Sequence, residues 1–229
     1  MGAQGTEGTI TSRGVRIPKD ARVLTGRARR NLRAGTYERK ESDAVLRMVR
    51  PGDRVLELGA GIGYMSALIA TQTKAAAITS FEANPALLPF IAEVHRANGV
   101  TIASVENALL APEAGPPRPF HVREDFLASS LDRDAAGGVV ETVAVPVRGL
   151  ADVLAEVRPD VLVCDIEGAE ADLLPAGDWS GLRAAVVELH PQWIGQTGVQ
   201  AVFDAMQRAG LTYFPRASER KVVAFRKGW

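Results

Sequence analysis

From Arg54 onward, short apolar runs alternate with segments that carry apolar residues at helical spacing. Each apolar run has the length of a strand, and each segment between runs has the length of a crossover helix. Because parallel strands need such a crossover, the alternation predicts an α/β fold with a parallel sheet. The predicted strands are RVLEL, AAAITSFE, TIASVENALL, DVLVCDIE and AAVVELH, and the predicted helices begin near Gly63, Asn84, Ala169 and Thr197.

Two regions interrupt this alternation. Residues 111–147 are rich in Pro and Gly and contain short strand-like pieces, which predicts a hairpin inserted over one edge of the sheet. After the last helix, LTYFPRASERKVVAFRK contains two strand-like pieces joined by a polar turn, and so short a link makes the strands antiparallel neighbours. We therefore predict one α/β domain over residues 35–229, preceded by a basic N-terminal arm over residues 1–34.

Charge and composition narrow the possible partners. The 27 acidic and 27 basic residues give a formal net charge of zero, so we predict no nucleic-acid partner. Residues 1–50 are enriched in Lys and Arg, which either meet an acidic substrate or pair with the rest of the chain. Exchange of this arm between protomers would give a homo-oligomer. The single cysteine, Cys164, and the lack of a long apolar run predict a cytoplasmic protein without a membrane partner.

The stretch VLELGAGIGY places three glycines, Gly59, Gly61 and Gly63, directly after a predicted strand. Glycine tolerates positive φ and has no β-carbon, so such a turn lets a ligand lie against the backbone. The dinucleotide fingerprint G-x-G-x-x-G would need glycine at position 64 or 66, where Tyr64 and Ser66 stand. This spacing argues against a dinucleotide, and a tight turn without any ligand is the structural alternative.

Polar side chains near this turn indicate which ligand it admits. Glu57 lies two residues before the glycines, and its carboxylate attracts cationic groups and repels phosphates. Glu82 ends the next strand and can accept both hydrogens of a ribose diol, while the amide of Asn107 suits an adenine edge. A cationic nucleoside without phosphate is S-adenosylmethionine, which is the cofactor that these residues indicate. The alternative is that Glu57 and Glu82 are solvated strand ends that bind no ligand.

These stretches resemble the class I S-adenosylmethionine-dependent methyltransferases and, more narrowly, the FkbM family. The glycine turn is common to many methyltransferases, whereas DIEGAE followed about twenty residues later by ELHP is much more particular. The resemblance runs in order from about Gly35 to Pro191. It rests on GTYERKESDAVLRMVRPGDRVLELGAGIGYMSALIA, FEANP, VCDIEGAEADLL and VVELHP.

The resemblance implies a doubly wound, mostly parallel, seven-stranded Rossmann-like sheet with an antiparallel last strand. It also implies methyl transfer to a hydroxyl of a saccharide or small-molecule metabolite. Residues 111–147 match the family poorly and are expected to shape the acceptor pocket. By position, Glu57 and the glycines would hold the methionine end, Glu82 the ribose and Asn107 the adenine. The full set of implied cofactor-binding residues is Tyr37, Glu57, Gly59, Ala60, Gly61, Gly63, Glu82, Ala83, Asn107 and Asp165.

Methylation of a hydroxyl requires removal of a proton, and ligands of such sheets bind at the carboxyl ends of the parallel strands. Two strand ends supply candidate catalytic residues: Asp165 and Glu167 after VLVC, and Glu188 and His190 after AAVV. His190 titrates near neutrality and is the candidate general base, with the carboxylates orienting it or facing the acceptor. The same four side chains would also suit Mg²⁺ or a similar divalent cation, which their spacing permits and does not require.

Upstream of the glycine turn, Tyr37 and Glu41 lie four residues apart and therefore on one face of a predicted helix. By family position they close over the cofactor, and helix packing is the alternative for Tyr37.

Three other functions stay open at this point. N-methylation of a small-molecule amine would make a base less necessary. A nicotinamide-binding oxidoreductase would bind NAD in preference to S-adenosylhomocysteine. A non-catalytic module would bind the cofactor without transferring its methyl group.

Overall fold

The structure, a computed structural model, describes residues 8–123 and 138–228. Apolar runs of the sequence form the strands, and the segments between them form the helices. The strands are β1 (Thr9–Ser12), β2 (Val15–Pro18), β3 (Arg54–Leu58), β4 (Ala77–Glu82), β5 (Ala103–Asn107), β6 (Leu109–Ala111), β7 (Gly115–Arg123), β8 (Val139–Gly149), β9 (Val161–Cys164), β10 (Ala184–Glu188), β11 (Thr212–Tyr213) and β12 (Val222–Arg226). The α-helices are α1 (Gly26–Ala34), α2 (Arg39–Met48), α3 (Tyr64–Gln72), α4 (Leu88–Asn98), α5 (Leu150–Val157), α6 (Glu170–Ala176) and α7 (Pro191–Arg208).

The main sheet has seven strands in the order β5, β4, β3, β9, β10, β12, β11. The first five of these strands are parallel to one another, whereas β12 is antiparallel to both β10 and β11. This confirms the predicted doubly wound, mostly parallel fold with an antiparallel last strand. The order reverses between β3 and β9, and in open α/β sheets ligands bind beyond the carboxyl ends of the strands at such a reversal.

Helices cover both faces of the sheet. In β9, Val161 and Val163 point into a core shared with α1–α4, while Leu162 and Cys164 point into a core shared with α5–α7. Successive side chains of a strand point to opposite faces, so a strand buried on both faces must be apolar throughout. The uninterrupted run VLVC therefore encodes a central strand.

Residues 9–34, which belong to the predicted basic arm over residues 1–34, pack against this body. Strands β1 and β2 pair as a hairpin, and α1 follows them. Ile17 and Leu32 are fully buried in the core with α2–α4, while Arg27 and Arg30 stay exposed. Apolar residues interspersed among the arginines thus bury one side of the segment. The domain boundary at residue 35 stays a prediction.

The predicted inserted hairpin is present in the described part of residues 111–147. Strand β7 pairs antiparallel with β8, and β6 pairs parallel with β8. The strand predicted over TIASVENALL divides, because β5 stays in the main sheet and β6 joins the hairpin. Phe120, Val122 and Val145 form the small core of this three-stranded sheet. Residues 124–137 of the insertion lie outside the described residues.

Most of the predicted helices begin within a residue or two of their expected positions. Asn84 caps a 3₁₀ turn over Pro85–Leu87 that leads into α4. Helix α7 begins earlier than expected, at Pro191, and is interrupted at Gly195, where φ is 61°. In the described ranges, no helix has both the length and the apolar character needed to cross a membrane.

Candidate active site

A cavity of about 540 Å³ opens at the carboxyl ends of β3, β4 and β9. This volume lies in the usual range for cofactor sites. Its wall combines bare backbone, apolar side chains and carboxylates. Among the lining residues are Tyr37, Glu38, Gly59, Gly61, Glu82, Ala83, Leu109, Phe120, Asp165, Glu167 and Leu173.

The glycine turn forms one wall of the cavity, and two of its glycines are required by packing. Gly59 has a φ of 86°, and a β-carbon there would lie 1.9 Å from the carbonyl oxygen of Asp165. Gly63 has a φ of 74°, and a β-carbon there would lie 2.8 Å from Cγ2 of Ile91. Gly59 and Gly61 line the cavity, whereas Ala60 is buried in the core behind the turn. The turn therefore brings β3 against both the cavity and the end of β9.

Glu82 is the residue predicted to bind the ribose, and that role stays a prediction. It is 7% exposed and lines the cavity. The backbone N–H of Gly61 donates to its Oε2, and the N–H of Asn84 donates to its Oε1, both at 2.8 Å. Each carboxylate oxygen keeps a further lone pair, so a diol in the cavity can still be bound. Burial raises the pKa of Glu82 above its ordinary value, against the hydrogen bonds from these N–H groups.

Glu57 is not among the residues that line the cavity. It is 1% exposed and accepts a hydrogen bond from the hydroxyl of Ser80. Burial raises the pKa of Glu57 to about 7, and the neighbouring Glu82 adds to the increase. Within the described residues Glu57 is not part of the cavity wall, so its predicted role at the methionine end stays a prediction.

Asn107 uses its amide hydrogens to hold the end of β4. Its Nδ2 donates to the carbonyl oxygens of Glu82, at 2.8 Å, and Ala83, at 3.0 Å. Ala83 lines the cavity, and Asn107 stands behind it. The predicted contact of Asn107 with adenine stays a prediction. Its two hydrogen bonds support the main chain at Glu82.

Tyr37, which was predicted to bind the cofactor, lines the cavity, and Glu38 beside it was not predicted. The Tyr37 ring packs edge-on against Tyr64, with centroids 5.4 Å apart. Glu38 also lines the cavity and has a φ of 43° at the N-cap of α2. Burial and the nearby Asp165 raise the pKa of Glu38 well above its ordinary value. An acid at the start of a helix beside a predicted cofactor residue is the signal that would have found it.

The four predicted catalytic residues come together at one end of the cavity. The register pairs Cys164 with Val187, so Asp165 and Glu188 leave adjacent strands side by side. Nε2 of His190 lies 3.6 Å from Oδ1 of Asp165, 3.3 Å from Oε2 of Glu167 and 3.9 Å from Oε1 of Glu188. Asp165 and Glu167 line the cavity, and His190 lies behind them at 2% exposure.

Glu170, which the sequence analysis did not single out, holds His190 in place. It is fully buried, and its Oε1 accepts hydrogen bonds from the His190 backbone N–H at 2.8 Å and from Nδ1 at 3.1 Å. Its Oε2 accepts from the N–H of Gly168 at 2.7 Å. Because Nδ1 donates to Glu170, Nε2 is the atom of the ring that faces the carboxylates. Burial opposes ionisation of Glu170, but the contacts with His190 lower its pKa overall.

Negative charge accumulates around Asp165. Burial, Glu188 and Glu167 raise the pKa of Asp165 to about 8, against the opposing effect of His190. For His190, burial lowers the pKa, but the surrounding carboxylates outweigh it and the net change is upward. The Lys221 ammonium contacts Glu188 at 2.5 Å and offsets part of the charge. Such a group of coupled acids and a histidine in a cleft is typical of a catalytic centre.

Comparisons with known proteins agree with this geometry. The model of the Methyltransferase FkbM domain matches residues 57–213. A search of curated protein sequences finds no match. Wild-type Trm5b from Pyrococcus abyssi is 12% identical to this chain, with a TM-score of 0.53. The match covers 99% of this chain and 57% of Trm5b, so this chain spans little more than half the length of Trm5b.

Two further solved structures have similar scores. TYW2 from M. jannaschii, in complex with AdoMet, is 14% identical with a TM-score of 0.52, over 100% of this chain and 90% of that one. A ribosomal protein L11 methylase from Lactobacillus delbrueckii subsp. bulgaricus is 12% identical with a TM-score of 0.50, over 85% and 80% of the two chains. At these identities the likeness shows the fold alone.

The family match covers more than half of the chain and includes the glycine turn, Glu82 and the two strand ends that carry the predicted catalytic residues. The cavity fits the cofactor that the family uses, since it offers bare backbone at Gly59 and Gly61 and a carboxylate at Glu82. The resemblance noted in the sequence is thereby confirmed. We conclude that the chain belongs to the FkbM methyltransferase family and is an S-adenosylmethionine-dependent methyltransferase.

Proposed function

We propose that this methyltransferase methylates a hydroxyl group of a saccharide or another small-molecule metabolite. The observation that carries the proposal is the cluster of His190 with Asp165 and Glu167 at one end of the cofactor cavity. A hydroxyl must lose its proton when it is methylated, and several proton acceptors beside the reacting atoms provide for that loss. A neutral amine reacts through its free lone pair without prior proton loss, so the cluster favours oxygen as the acceptor atom.

The residues of the chain have two tasks in this reaction. S-adenosylmethionine supplies a methyl group on a cationic sulfonium, which is already activated for transfer. Gly59, Gly61 and Glu82 would hold the nucleoside, and Glu38 and Asp165 line the same cavity. Alignment of acceptor and methyl group contributes about 7 kcal/mol or more in favourable cases. Removal of the hydroxyl proton contributes a factor of roughly 10² to 10⁴ in rate.

Thermal unfolding tests the cofactor site first. S-adenosylhomocysteine at about 100 times its dissociation constant should stabilise the protein by about 2.7 kcal/mol, and NAD should leave it unchanged. Glu82→Ala should lose most of this stabilisation. Glu156→Gln, which changes an exposed carboxyl paired with Arg148, is the matched control and should keep it. Stabilisation by NAD alone would favour the oxidoreductase.

Transfer of a labelled methyl group tests the acceptor. We expect label on saccharides or polyols and none on matched amines. Asp165→Asn and His190→Gln should keep the stabilisation by S-adenosylhomocysteine and lose turnover by about 10² or more. Label found only on amines, or full turnover in Asp165→Asn, would contradict hydroxyl methylation. Cofactor binding without any labelled product would support the non-catalytic module.

A further inference from the structure

One atom in the catalytic cluster lacks a partner where one is needed. Oδ1 of Asp165 is buried from solvent and accepts no hydrogen bond from any described residue. A buried oxygen of this kind is unfavourable unless another group compensates it. The nearest ring atom is Nε2 of His190, 3.6 Å away. Asp165 therefore presents an unsatisfied electron-pair donor to the centre of the cluster.

His190 presents a second donor to the same point. Its ring is almost completely buried, and Nδ1 is committed to Glu170. In the neutral ring this leaves the lone pair on Nε2 directed toward the carboxylates. A carboxylate that holds the far nitrogen of a histidine is the usual support of a metal-binding imidazole, because it sets the tautomer and the ring orientation. Glu170 has this relationship to His190.

Glu188 is the third candidate metal ligand, beside Asp165 and His190. The donor atoms of Asp165, Glu188 and His190 all lie within 4.8 Å of one another. Ligands at about 2.0–2.2 Å from a common cation are separated by about 3–4.5 Å, so a cation fits between these atoms with small adjustments. Two carboxylates and one imidazole suit a first-row divalent metal better than Mg²⁺, which prefers oxygen alone.

We propose that Asp165, Glu188 and His190 bind one divalent first-row transition-metal cation at the acceptor end of the cavity. Asp165 lines the cavity beside Glu167, so an ion held by the three ligands would be reached from that side. Glu170 is a positioning residue of this site, since it contacts His190 and none of the space that the ion takes.

Lys221 supplies the competing charge. Its ammonium contacts Oε1 of Glu188 at 2.5 Å, so it neutralises one ligand when no cation is bound. The Lys221 side chain is about half exposed, at 48%, and can move its ammonium into solvent. Binding of a metal ion is therefore an exchange of one positive charge for another, and removal of Lys221 should make it more favourable.

The consequence for catalysis rests on the proposed function, whereas cation binding does not. A cation held by these residues would make a coordinated hydroxyl of the acceptor more acidic. Its O–H bond breaks and the proton passes to the carboxylate of Glu167. The acceptor oxygen forms its bond to the methyl carbon as the carbon–sulfur bond breaks, and the sulfur leaves as the neutral thioether S-adenosylhomocysteine.

Titration with Mn²⁺, followed by the loss of the electron paramagnetic resonance signal of the free ion, tests the site directly. After treatment with EDTA, the full chain should bind one Mn²⁺ per molecule. Asp165→Asn and His190→Gln should each weaken binding by at least about tenfold, and Glu170→Gln by about 10–100-fold. Lys221→Met should strengthen binding several-fold.

Glu156→Gln, in an exposed carboxyl away from the cluster, is the control and should bind Mn²⁺ as the wild type does. Stabilisation by S-adenosylhomocysteine, measured on each variant, confirms that it is folded. Equal affinity in wild type, Asp165→Asn and His190→Gln, or no saturable binding, would overturn the metal site. If that happens while methyl transfer continues in EDTA, the proposed function still stands.

Discussion

Replacing Glu57 with Gln should change how the stability of the protein depends on pH. Glu57 is 1% exposed, and burial raises the pKa of its carboxyl from 4.5 to about 7, although the hydrogen bond from Ser80 opposes the increase. Between these values the folded protein keeps a proton that the unfolded chain has released. The stabilisation from this group is therefore fully present below about pH 4.5 and is lost as the pH rises through about 7.

The size of the effect follows from the two pKa values. A difference of about 2.5 units corresponds to about 3.4 kcal/mol over the whole window, at about 1.36 kcal/mol per unit. Between about pH 5 and pH 8, the same relation gives a loss of about 2.5 kcal/mol in the free energy of unfolding. Gln has no proton to release at these pH values, and its amide oxygen can accept the hydrogen bond from Ser80, so the variant lacks this loss.

Urea unfolding of both proteins at several pH values measures the effect. The free energy of unfolding of Glu57→Gln minus that of the wild type should increase by about 2.5 kcal/mol from about pH 5 to pH 8. A fixed cost of fitting the amide cancels in this comparison. Glu156→Gln, in an exposed carboxyl, should show no such change. If the difference for Glu57→Gln is constant with pH, Glu57 is ionised in the folded protein and the reasoning fails.

Two further substitutions test the supports of the cofactor site. Gly59→Ala should lower the free energy of unfolding by at least about 3 kcal/mol, because positive φ costs about 1–2 kcal/mol and the β-carbon would also meet the Asp165 carbonyl. Gly52→Ala, at a φ of 87° with open space around it, should cost only about 1–2 kcal/mol, and equal losses would contradict the close approach. Asn107→Ala should cost about 1–3 kcal/mol in urea unfolding and weaken S-adenosylhomocysteine binding, since the end of β4 at Glu82 loses two hydrogen bonds. Unchanged binding in this variant would show that Glu82 needs no such support.

Local patterns in the sequence were enough to predict the sheet and the place of the site. Uninterrupted apolar runs of strand length, such as VLVC in β9, and the length of the crossovers between them indicate a parallel sheet. Carboxyl ends of parallel strands share one edge, so Asp165 and Glu188 were expected to meet, and they do. The split between β5 and β6 was missed, because nothing in an apolar run shows when the chain changes sheets.

The directions of individual side chains were decided only by the tertiary structure. Glu57 and Asn107 stand at the positions that the pattern marks, yet the carboxylate of Glu57 accepts a hydrogen bond from Ser80 and the amide of Asn107 holds the main chain. Glu170 lies twenty residues from His190 and reaches it because β9 and β10 are neighbours and α6 turns this acid inward. A sequence determines which side chains reach a sheet edge, whereas packing across elements determines which of them bind the ligand and which hold its binders in place.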